Sequence, residues 1–355
     1  MLADIHYDLL THVYIWRHDI ERMISFARTN YNTDNITHGI LNLFFMPLEE
    51  MGHDLNIKKE EIDVLKMLKI TDELIKKYNL LPNPESFIYQ IEGCTYLKIE
   101  NLEELKALGV RAIAPVWNDS NMYGSGNRNK DKGLTKKGIL LIKKAVDLGY
   151  IIDLAHANEK TFWDIIFFLR NIKKSRKEVM VMVSHANAKA LYDKNKLSSK
   201  QVANLDKTLF MNRNLTDDQI LAIKEFDGLI GVMLHKKMLK PVFDNKEIIN
   251  INEPFNLLFL HHIEYIGKLI GYKNIAIATD NMNYDPDPIC PHLNNCEYKD
   301  TKKLLKKIFH NSNLNQEQIE DIMYQNFIDK VLNKLKRINH YKGEENNNSK
   351  RIKIL

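Results

Sequence analysis

Short apolar runs alternate with longer amphipathic segments along most of the chain. Eight of these runs are rich in Val, Ile, Phe or Ala and are bounded by polar or turn residues, a pattern that predicts β-strands. The predicted strands are residues 2–8, 39–46, 86–92, 110–117, 150–156, 179–185, 229–234 and 274–280. They lack a strict alternation of apolar and polar residues, so we expect a parallel sheet that is buried on both faces.

The segments between the strands have helical periodicity. Predicted helices cover residues 59–78, 102–108, 136–148, 160–172, 217–226 and 254–270. Thr135 and Thr216 stand where helix N-caps are expected. Eight units of strand followed by helix match an α/β fold of the closed (β/α)8 TIM-barrel type.

A single catalytic barrel domain is predicted for residues 1–340. Past Gln316 the apolar residues Met323, Phe327 and Val331 predict an additional C-terminal helix that packs on the barrel. The polar tail, residues 341–355, is predicted to be disordered.

Two polar segments interrupt the repeat. Residues 189–212 predict a surface insertion or lid, and residues 285–302 follow the eighth strand. The latter contain Cys290, His292 and Cys296, which could form a zinc or redox cluster. Because no fourth partner is evident nearby, an ordinary surface loop is the favoured interpretation.

Composition narrows the functional class. The 355 residues are 44% hydrophobic and 27% charged, as in ordinary globular proteins, and no apolar run is long enough to cross a membrane. The absence of a signal-like N-terminus and the three scattered cysteines predict a cytoplasmic protein without a membrane partner. The net charge of +5 comes from 51 basic and 46 acidic residues that are interspersed, so no nucleic-acid partner is expected.

Residues able to bind a metal stand at the carboxyl ends of the predicted strands, where barrel enzymes place their active sites. They occur in His6-Tyr7-Asp8, in Glu92, in Asp153 and His156, in Ser184-His185 and in Thr279-Asp280. His6 and Asp8 are two residues apart on a strand, so both side chains can point to the same face. Burying so many imidazoles and carboxylates without a cation would be costly, and the mixture suits divalent transition metals such as zinc.

Several motifs, taken in order along the chain, carry a resemblance to a known family. They are DIHYDLL, IEG at residues 91–93, GLTKKGILLIKKAVDLGYIIDLAH, VSHANAKAL, RNLTDDQI and IAIATDNM. The sequence from residue 2 to about residue 335 resembles the membrane (renal) dipeptidases, a family of zinc metallopeptidases, and looks like their microbial branch.

The resemblance implies a binuclear centre with two Zn²⁺ or other divalent ions. It implies that His6 and Asp8 bind one ion, that His156 and His185 bind the other, and that Glu92 bridges them. Asp280 would handle the proton of the reaction together with Glu92 as the second catalytic residue, and Arg213 would bind the carboxylate of the substrate. The implied function is hydrolysis of small dipeptides, including those with a C-terminal D-residue, and relatives often form homodimers.

Some positions depart from the animal members of the family or leave alternatives open. Trp117 stands where those members carry a His that holds the substrate carbonyl, so Trp117 is predicted to form a wall of the substrate pocket. Asn118 or Asn121 could supply the missing hydrogen-bond donor. The eighth-strand motif has Met282 in place of a second acidic residue.

The roles of Arg213 and Asp280 also have alternatives. Arg213 could pair with Asp217 or Asp218, and Asp280 could orient a ligand histidine rather than move a proton. At the level of the whole protein, the alternatives are a binuclear amidohydrolase that acts on another small amide or ester, and an inactive descendant used for binding.

Overall fold

The computed structural model describes residues 1–30, 36–44, 62–81, 83–129, 131–175, 178–191, 212–234, 239, 242–243, 246–247, 255–280 and 301–338. All eight predicted strands are present. They are β1 (Ala3–Tyr7), β2 (His38–Phe44), β3 (Phe87–Glu92), β4 (Val110–Ala114), β5 (Ile151–Asp153), β6 (Met180–Ala186), β7 (Leu229–Met233) and β8 (Ile275–Ala278).

Each strand pairs in parallel with its neighbours in the sequence, and β8 pairs with β1 to close the ring. The predicted (β/α)8 barrel is therefore confirmed. A separate two-stranded hairpin (Val242–Phe243 and Lys246–Glu247) lies outside the barrel sheet.

Helices follow the strands, and they include all six that the periodicity predicts between the strands. They are α1 (Leu9–Ile15), α2 (Ile20–Asn30), α3 (Val64–Lys77), α4 (Leu102–Ala107), α5 (Lys136–Leu148), α6 (Glu159–Lys174), α7 (Asp217–Glu225), α8 (Phe255–Ile270), α9 (Thr301–His310) and α10 (Gln316–Glu320). Both predicted caps form: Thr135 accepts a hydrogen bond from the Gly138 N–H, and Thr216 forms a capping box with Gln219.

The predicted C-terminal helix is also present. After α10 it continues through two π-helical turns, Asp321–Gln325 and Ile328–Leu332. Phe327 and Val331 are buried against the apolar residues inside the barrel, which belong to the first parts of the strands. The helix therefore covers the amino-terminal end of the barrel and excludes water from the apolar side chains inside that end.

The inward side chains change character along the strands. Near the strand starts they are apolar, as at Ile40 and Ile88, whereas farther along they are buried and polar, as at Asn42, Gln90 and Glu92. The barrel interior therefore has an apolar half at its amino-terminal end and a polar half at its carboxyl end.

Two bulges change which residues of β1 and β6 face the interior. The register with β2 shifts between Asp4 and Tyr7 of β1, and the register with β7 shifts between Val183 and Ala186 of β6. In both places the bulged strand carries one residue more than its partner, which re-aims the following side chains.

Several sequence predictions concern residues outside the described ranges. These are residues 192–211 of the predicted insertion, residues 285–300 with both of their cysteines, and the tail 341–355. Cys94, which is described, is buried and is not in a disulfide. Among the described helices, none combines the length and the apolar character needed to span a bilayer.

Candidate metal centre

Three of the five predicted metal ligands, all histidines, converge around a fourth, the carboxylate of Glu92, at the carboxyl end of the barrel. The Nε2 atom of His156 lies 2.8 Å from Oε1 of Glu92, and Nε2 of His185 lies 3.5 Å from the same oxygen. The Nε2 atom of His6 lies 3.5 Å from the other oxygen, Oε2. Glu92 therefore stands between the histidines, with one oxygen towards His156 and His185 and the other towards His6.

The fifth ligand, Asp8, belongs to the same cluster. Ligand atoms of His6, Asp8 and Asp280 lie within 4.8 Å of one another, and so do those of His6, Glu92 and His185. The two groups share His6. The structure thus brings all five predicted ligands together with Asp280, whereas the division of the ligands between two ions stays a prediction.

The chemistry of this donor set fits a divalent transition ion. All three histidines turn Nε2 towards Glu92, and Oε1 of Glu92 is buried with no hydrogen-bond partner among the described residues. Nε2 of His156 and Nε2 of His185 are only 2.9 Å apart. Lone pairs held this close in a buried space repel one another unless a proton or a cation lies between them, and imidazole and carboxylate are ligands that zinc prefers.

Hydrogen bonds on the far side of each ring fix this orientation. Nδ1 of His156 donates to the side-chain oxygen of Asn118 at 2.8 Å. Nδ1 of His6 and Nδ1 of His185 both lie against the hydroxyl of Ser184, at 3.1 and 2.8 Å. Because a neutral imidazole with a protonated Nδ1 has its lone pair on Nε2, these contacts prepare all three histidines to bind a metal.

A buried amide holds the carboxylates. Asn42, on β2, donates from Nδ2 to Oδ1 of Asp8 at 2.8 Å and to Oε2 of Glu92 at 2.6 Å. The same nitrogen is 3.4 Å from Nε2 of His6. One side chain therefore contacts three of the predicted ligands and offsets the repulsion between two of the carboxylates.

The charges in the centre are strongly coupled. Burial opposes ionisation of Glu92, but the positive charge of His6 and contacts with His156 outweigh it and hold the pKa of Glu92 well below its usual value. Conversely, burial opposes protonation of His6, but Glu92 and Asp8 raise the pKa of His6 to about 10. Without a bound cation the centre therefore keeps a proton on His6, and cation binding at these atoms would release it.

Asp280 lies at the edge of the cluster. One of its side-chain oxygens is 3.8 Å from Nε2 of His6, and its backbone N–H donates to the His6 carbonyl. Asp280 and His156 both have positive φ angles, of 49° and 64°, which are uncommon for residues other than glycine. Backbone strain of this kind concentrates at functional sites, where the surrounding structure enforces it.

Arg213 is buried close to the same charges. Burial lowers the pKa of Arg213, and the nearby carboxylates of Asp280 and Glu92 oppose that effect. Its Nε and Nη1 atoms have no hydrogen-bond partner among the described residues. Asp217, one of the two alternative partners, instead accepts hydrogen bonds from the Tyr265 hydroxyl. Arg213 therefore has donor groups to offer to an anion.

The remaining predicted pocket residues occupy the rim. Trp117 is half-buried, and its ring centroid lies 5.7 Å from that of His156 and 5.1 Å from that of Phe44. The side-chain oxygen of Asn118 is engaged by His156, and Asn121 uses both ends of its amide within its own loop. The substrate contacts predicted for Trp117 and Asn118 stay predictions.

Sequence reasoning missed Asn42 and Gln90 behind the ligands, and it named Ser184 at a strand end without the supporting contacts that the structure shows. Asn42, Gln90 and Ser184 all face the barrel interior, and each is fully buried. For Asn42 and Gln90 a signal exists, because both stand at inward positions of otherwise apolar strands, two residues after an inward isoleucine. Ser184 has no such signal, since regular alternation would place it on the opposite face from its neighbour His185.

Comparisons with known proteins agree with the architecture. A family model described as membrane dipeptidase (peptidase family M19) matches residues 83–346. The chain belongs to this family.

The individual relatives are distant. A protein from the pqqA 5′ region of Klebsiella pneumoniae, described as uncharacterized, is 30% identical over 187 residues, covering 51% of this chain and 58% of that protein. A protein of Schizosaccharomyces pombe, described as an uncharacterized dipeptidase, is 25% identical over 247 residues, covering 64% and 52%. The matches thus span about half the length of these curated relatives.

Solved structures share the fold. A crystal structure described as a metallo peptidase from Rhodobacter sphaeroides, liganded with a phosphinate mimic of the dipeptide L-Ala-D-Ala, superposes with a TM-score of 0.65. It is 15% identical, and the match covers 92% of this chain and 97% of that one. A structure described as dipeptidase AC, a metallo peptidase, has a TM-score of 0.64 at 15% identity, with 92% and 96% covered.

Proposed function

We propose that this protein is a metal-dependent dipeptidase that holds two divalent ions, such as Zn²⁺, between His6, Asp8, Glu92, His156 and His185. One observation carries the proposal: three histidine Nε2 atoms face the two oxygens of one buried carboxylate, near a buried arginine whose Nε and Nη1 have no partner within the part of the chain that the structure describes. Membership of a dipeptidase family supports the same reaction.

The substrate is a small peptide with a free C-terminal carboxylate. Two divalent cations, when bound, supply an acidified water and Lewis-acid polarisation of the peptide carbonyl. Arg213 presents Nε and Nη1 to the carboxylate, and the planar guanidinium can bind both of its oxygens at once. Binding at Arg213 places the C-terminal peptide bond over the cluster, so that this bond is the one that is hydrolysed.

Asp280 handles the proton. Its carboxylate stands at the edge of the cluster, within 3.8 Å of Nε2 of His6, where it can take a proton from the attacking water and pass it to the leaving amine. Trp117 forms a wall of the pocket beside His156. We include peptides with a C-terminal D-residue among the substrates, because the related structure binds a mimic of L-Ala-D-Ala.

The first test is a panel of L,L- and L,D-dipeptides, assayed after removal of metal and after addition of Zn²⁺ or Mn²⁺. We expect hydrolysis that depends on the added metal and disappears with a chelator. The absence of turnover of every dipeptide with metal present would contradict the proposal.

The role of Arg213 has a sharper test that compares a dipeptide with its C-terminal amide. A hydrogen bond to a charged group contributes about 1.5–3 kcal/mol, so Arg213→Ala should raise KM for the dipeptide about 10- to 100-fold. The variant should treat the amide as the wild-type enzyme does, because the amide lacks the carboxylate. Arg170→Ala, on the outer surface where Arg170 pairs with Glu225, is the matched control.

A further inference from the structure

A single hydroxyl contacts histidines from two different strands of the barrel. The Ser184 hydroxyl lies 3.1 Å from Nδ1 of His6, which is on β1, and 2.8 Å from Nδ1 of His185, which follows it on β6. The two imidazole rings are close to each other, with centroids 3.7 Å apart and planes inclined by 30°. This near-stacking is the reason that both Nδ1 atoms can reach one oxygen.

The hydrogen-bonding capacity of a hydroxyl matches these contacts. A serine hydroxyl has two acceptor sites and one donor. The two acceptor sites can serve the N–H groups of His6 and His185, which leaves the hydroxyl proton free to turn towards the buried carboxylate of Asp153; burial raises the pKa of Asp153, and the Ser184 side chain lowers it.

Asp153 is itself held in place. It accepts hydrogen bonds from the backbone N–H groups of Ser184 and Ala155, and from the side chain of Gln90 at 2.6 Å. A metal-bound histidine commonly donates its other N–H to a carboxylate. Here a hydroxyl contacts two histidines, and the carboxylate of Asp153 holds the backbone N–H of the residue that carries this hydroxyl.

The bulge in β6 makes this arrangement possible. In a regular strand, Ser184 and His185 would face opposite sides of the sheet. Gly231 on the neighbouring β7 accommodates the bulged backbone, because a Cβ atom at this position would lie only 1.9 Å from the Ser184 carbonyl oxygen.

We propose that Ser184 is a positioning residue shared by the two ion sites, which fixes Nδ1 protonation in both His6 and His185 and so keeps both Nε2 lone pairs available. The inference rests on the proposed metal-dependent function, in which the two histidines serve different ions. Loss of the hydroxyl should then lower the ion affinity of both sites, whereas loss of a ligand such as His156 should first lower the ion affinity of one site.

The test compares Ser184→Ala with Thr279→Val. Thr279 is the matched control because its hydroxyl is also buried at a strand end and donates to the carboxylate of Asp4, and no histidine ring of the described residues is among its hydrogen-bond partners. Zn²⁺ affinity is measured by competition with a chelating indicator. We expect Ser184→Ala to lower the affinity for each of the two ions by about 10- to 100-fold, which is the usual effect of removing a hydrogen-bond partner of a metal ligand. Ser184→Thr, which retains a hydroxyl, should remain close to wild type, as should Thr279→Val.

A second measurement needs no metal. Spectra of protein labelled with ¹⁵N-histidine report which ring nitrogen carries the proton, and we expect His185 of the metal-free wild-type protein to be protonated at Nδ1. In Ser184→Ala, Nδ1 loses its acceptor, so protonation at Nε2 should appear; Thr279→Val should not change it. Ser184→Gly removes the same hydroxyl and replaces the alanine variant if that one does not fold.

The outcomes separate this inference from the proposed function. Failure of the wild-type protein to bind Zn²⁺ would contradict the function, while the tautomer of His185 would still decide the role of Ser184. If Ser184→Ala leaves the tautomer and both affinities unchanged, or weakens one ion alone, the shared role is wrong.

Discussion

The two halves of the barrel interior are built in opposite ways. The amino-terminal half is apolar, with Ile40, Ile88 and Met180 packed against Phe327 of the C-terminal helix. The carboxyl half contains buried imidazoles, carboxylates and amides on the same strands, a few residues farther along. A single strand thus contributes to the core at its start and to the centre at its end.

The difference has an energetic meaning. Burial of apolar surface stabilises a protein by roughly 25 cal/mol per Å², whereas a buried charge costs free energy unless it is paired. The apolar, amino-terminal half (the lower half) therefore stabilises the fold. The polar, carboxyl half (the upper half) reduces that stability because it holds charged and reactive groups close together. Substitutions in the lower half should consequently change the free energy of unfolding, and substitutions in the upper half should change kcat or metal affinity.

The largest expected effect is on catalysis, from Asp280→Asn in the upper half. Loss of a general acid–base group typically lowers kcat by about 10²- to 10⁴-fold, and we expect a decrease of that size with little change in melting temperature. Zn²⁺ affinity should be retained. If affinity falls in parallel with kcat, Asp280 orients a ligand histidine instead of moving the proton. Asp119→Asn, on the exposed rim beside Arg128, is the control.

In the lower half the expected effect is on stability. Phe327 is almost fully buried, so Phe327→Ala should lower the free energy of unfolding by about 3–5 kcal/mol through lost burial and a cavity. Leu332, on the same helix and only partly buried, should cost less when changed to Ala. Well below the melting temperature, Zn²⁺ affinity should equal that of the wild-type protein. A large loss of affinity would show that the two halves are not separable.

A smaller effect is expected from Asn42→Leu, which places an apolar side chain like those of the lower half at a polar position of the upper half. The change removes both hydrogen bonds that Asn42 donates to Asp8 and Glu92, so the affinity for the ion that is predicted to bind His6 and Asp8 should fall by about 10- to 100-fold. Titration of both ions by chelator competition measures this.

Gln90→Leu provides the comparison for Asn42→Leu. Gln90 is an inward amide on the adjacent strand, and it donates to Asp153 rather than to a predicted ligand. Equal losses of Zn²⁺ affinity in the two variants would mean that loss of either buried amide at this height in the barrel has the same effect, whether or not the amide contacts a predicted ligand.

That the predicted ligands lie close together could be inferred from sequence, because their positions depend only on where each strand ends. His6, Glu92, His156 and His185 each stand at the end of an apolar run, and a parallel barrel gathers all strand ends at one mouth. Resemblance to the dipeptidase family added their roles and pointed to Arg213. The helix that covers the opposite end was equally accessible, because Met323, Phe327 and Val331 recur at helical spacing.

The supporting residues were not accessible in the same way. Placing Ser184 beside two imidazoles requires the bulge in β6 and the near-stacking of His6 on His185, and neither leaves a trace in the hydrophobic pattern. The tie between Asn42 and Glu92 depends on the register of β2 and β3, which pairs strands in a way that local sequence does not specify.

The sequence by itself determined the strand–helix repeat, the closed barrel and the set of side chains at its mouth, because burial and chain periodicity act locally along each element. Only the tertiary structure decided which ring nitrogens face the centre, which amide links two carboxylates and which hydroxyl serves two histidines. Hydrogen bonds depend on distances of a few tenths of an ångström between residues far apart in the chain, and only packing sets those distances.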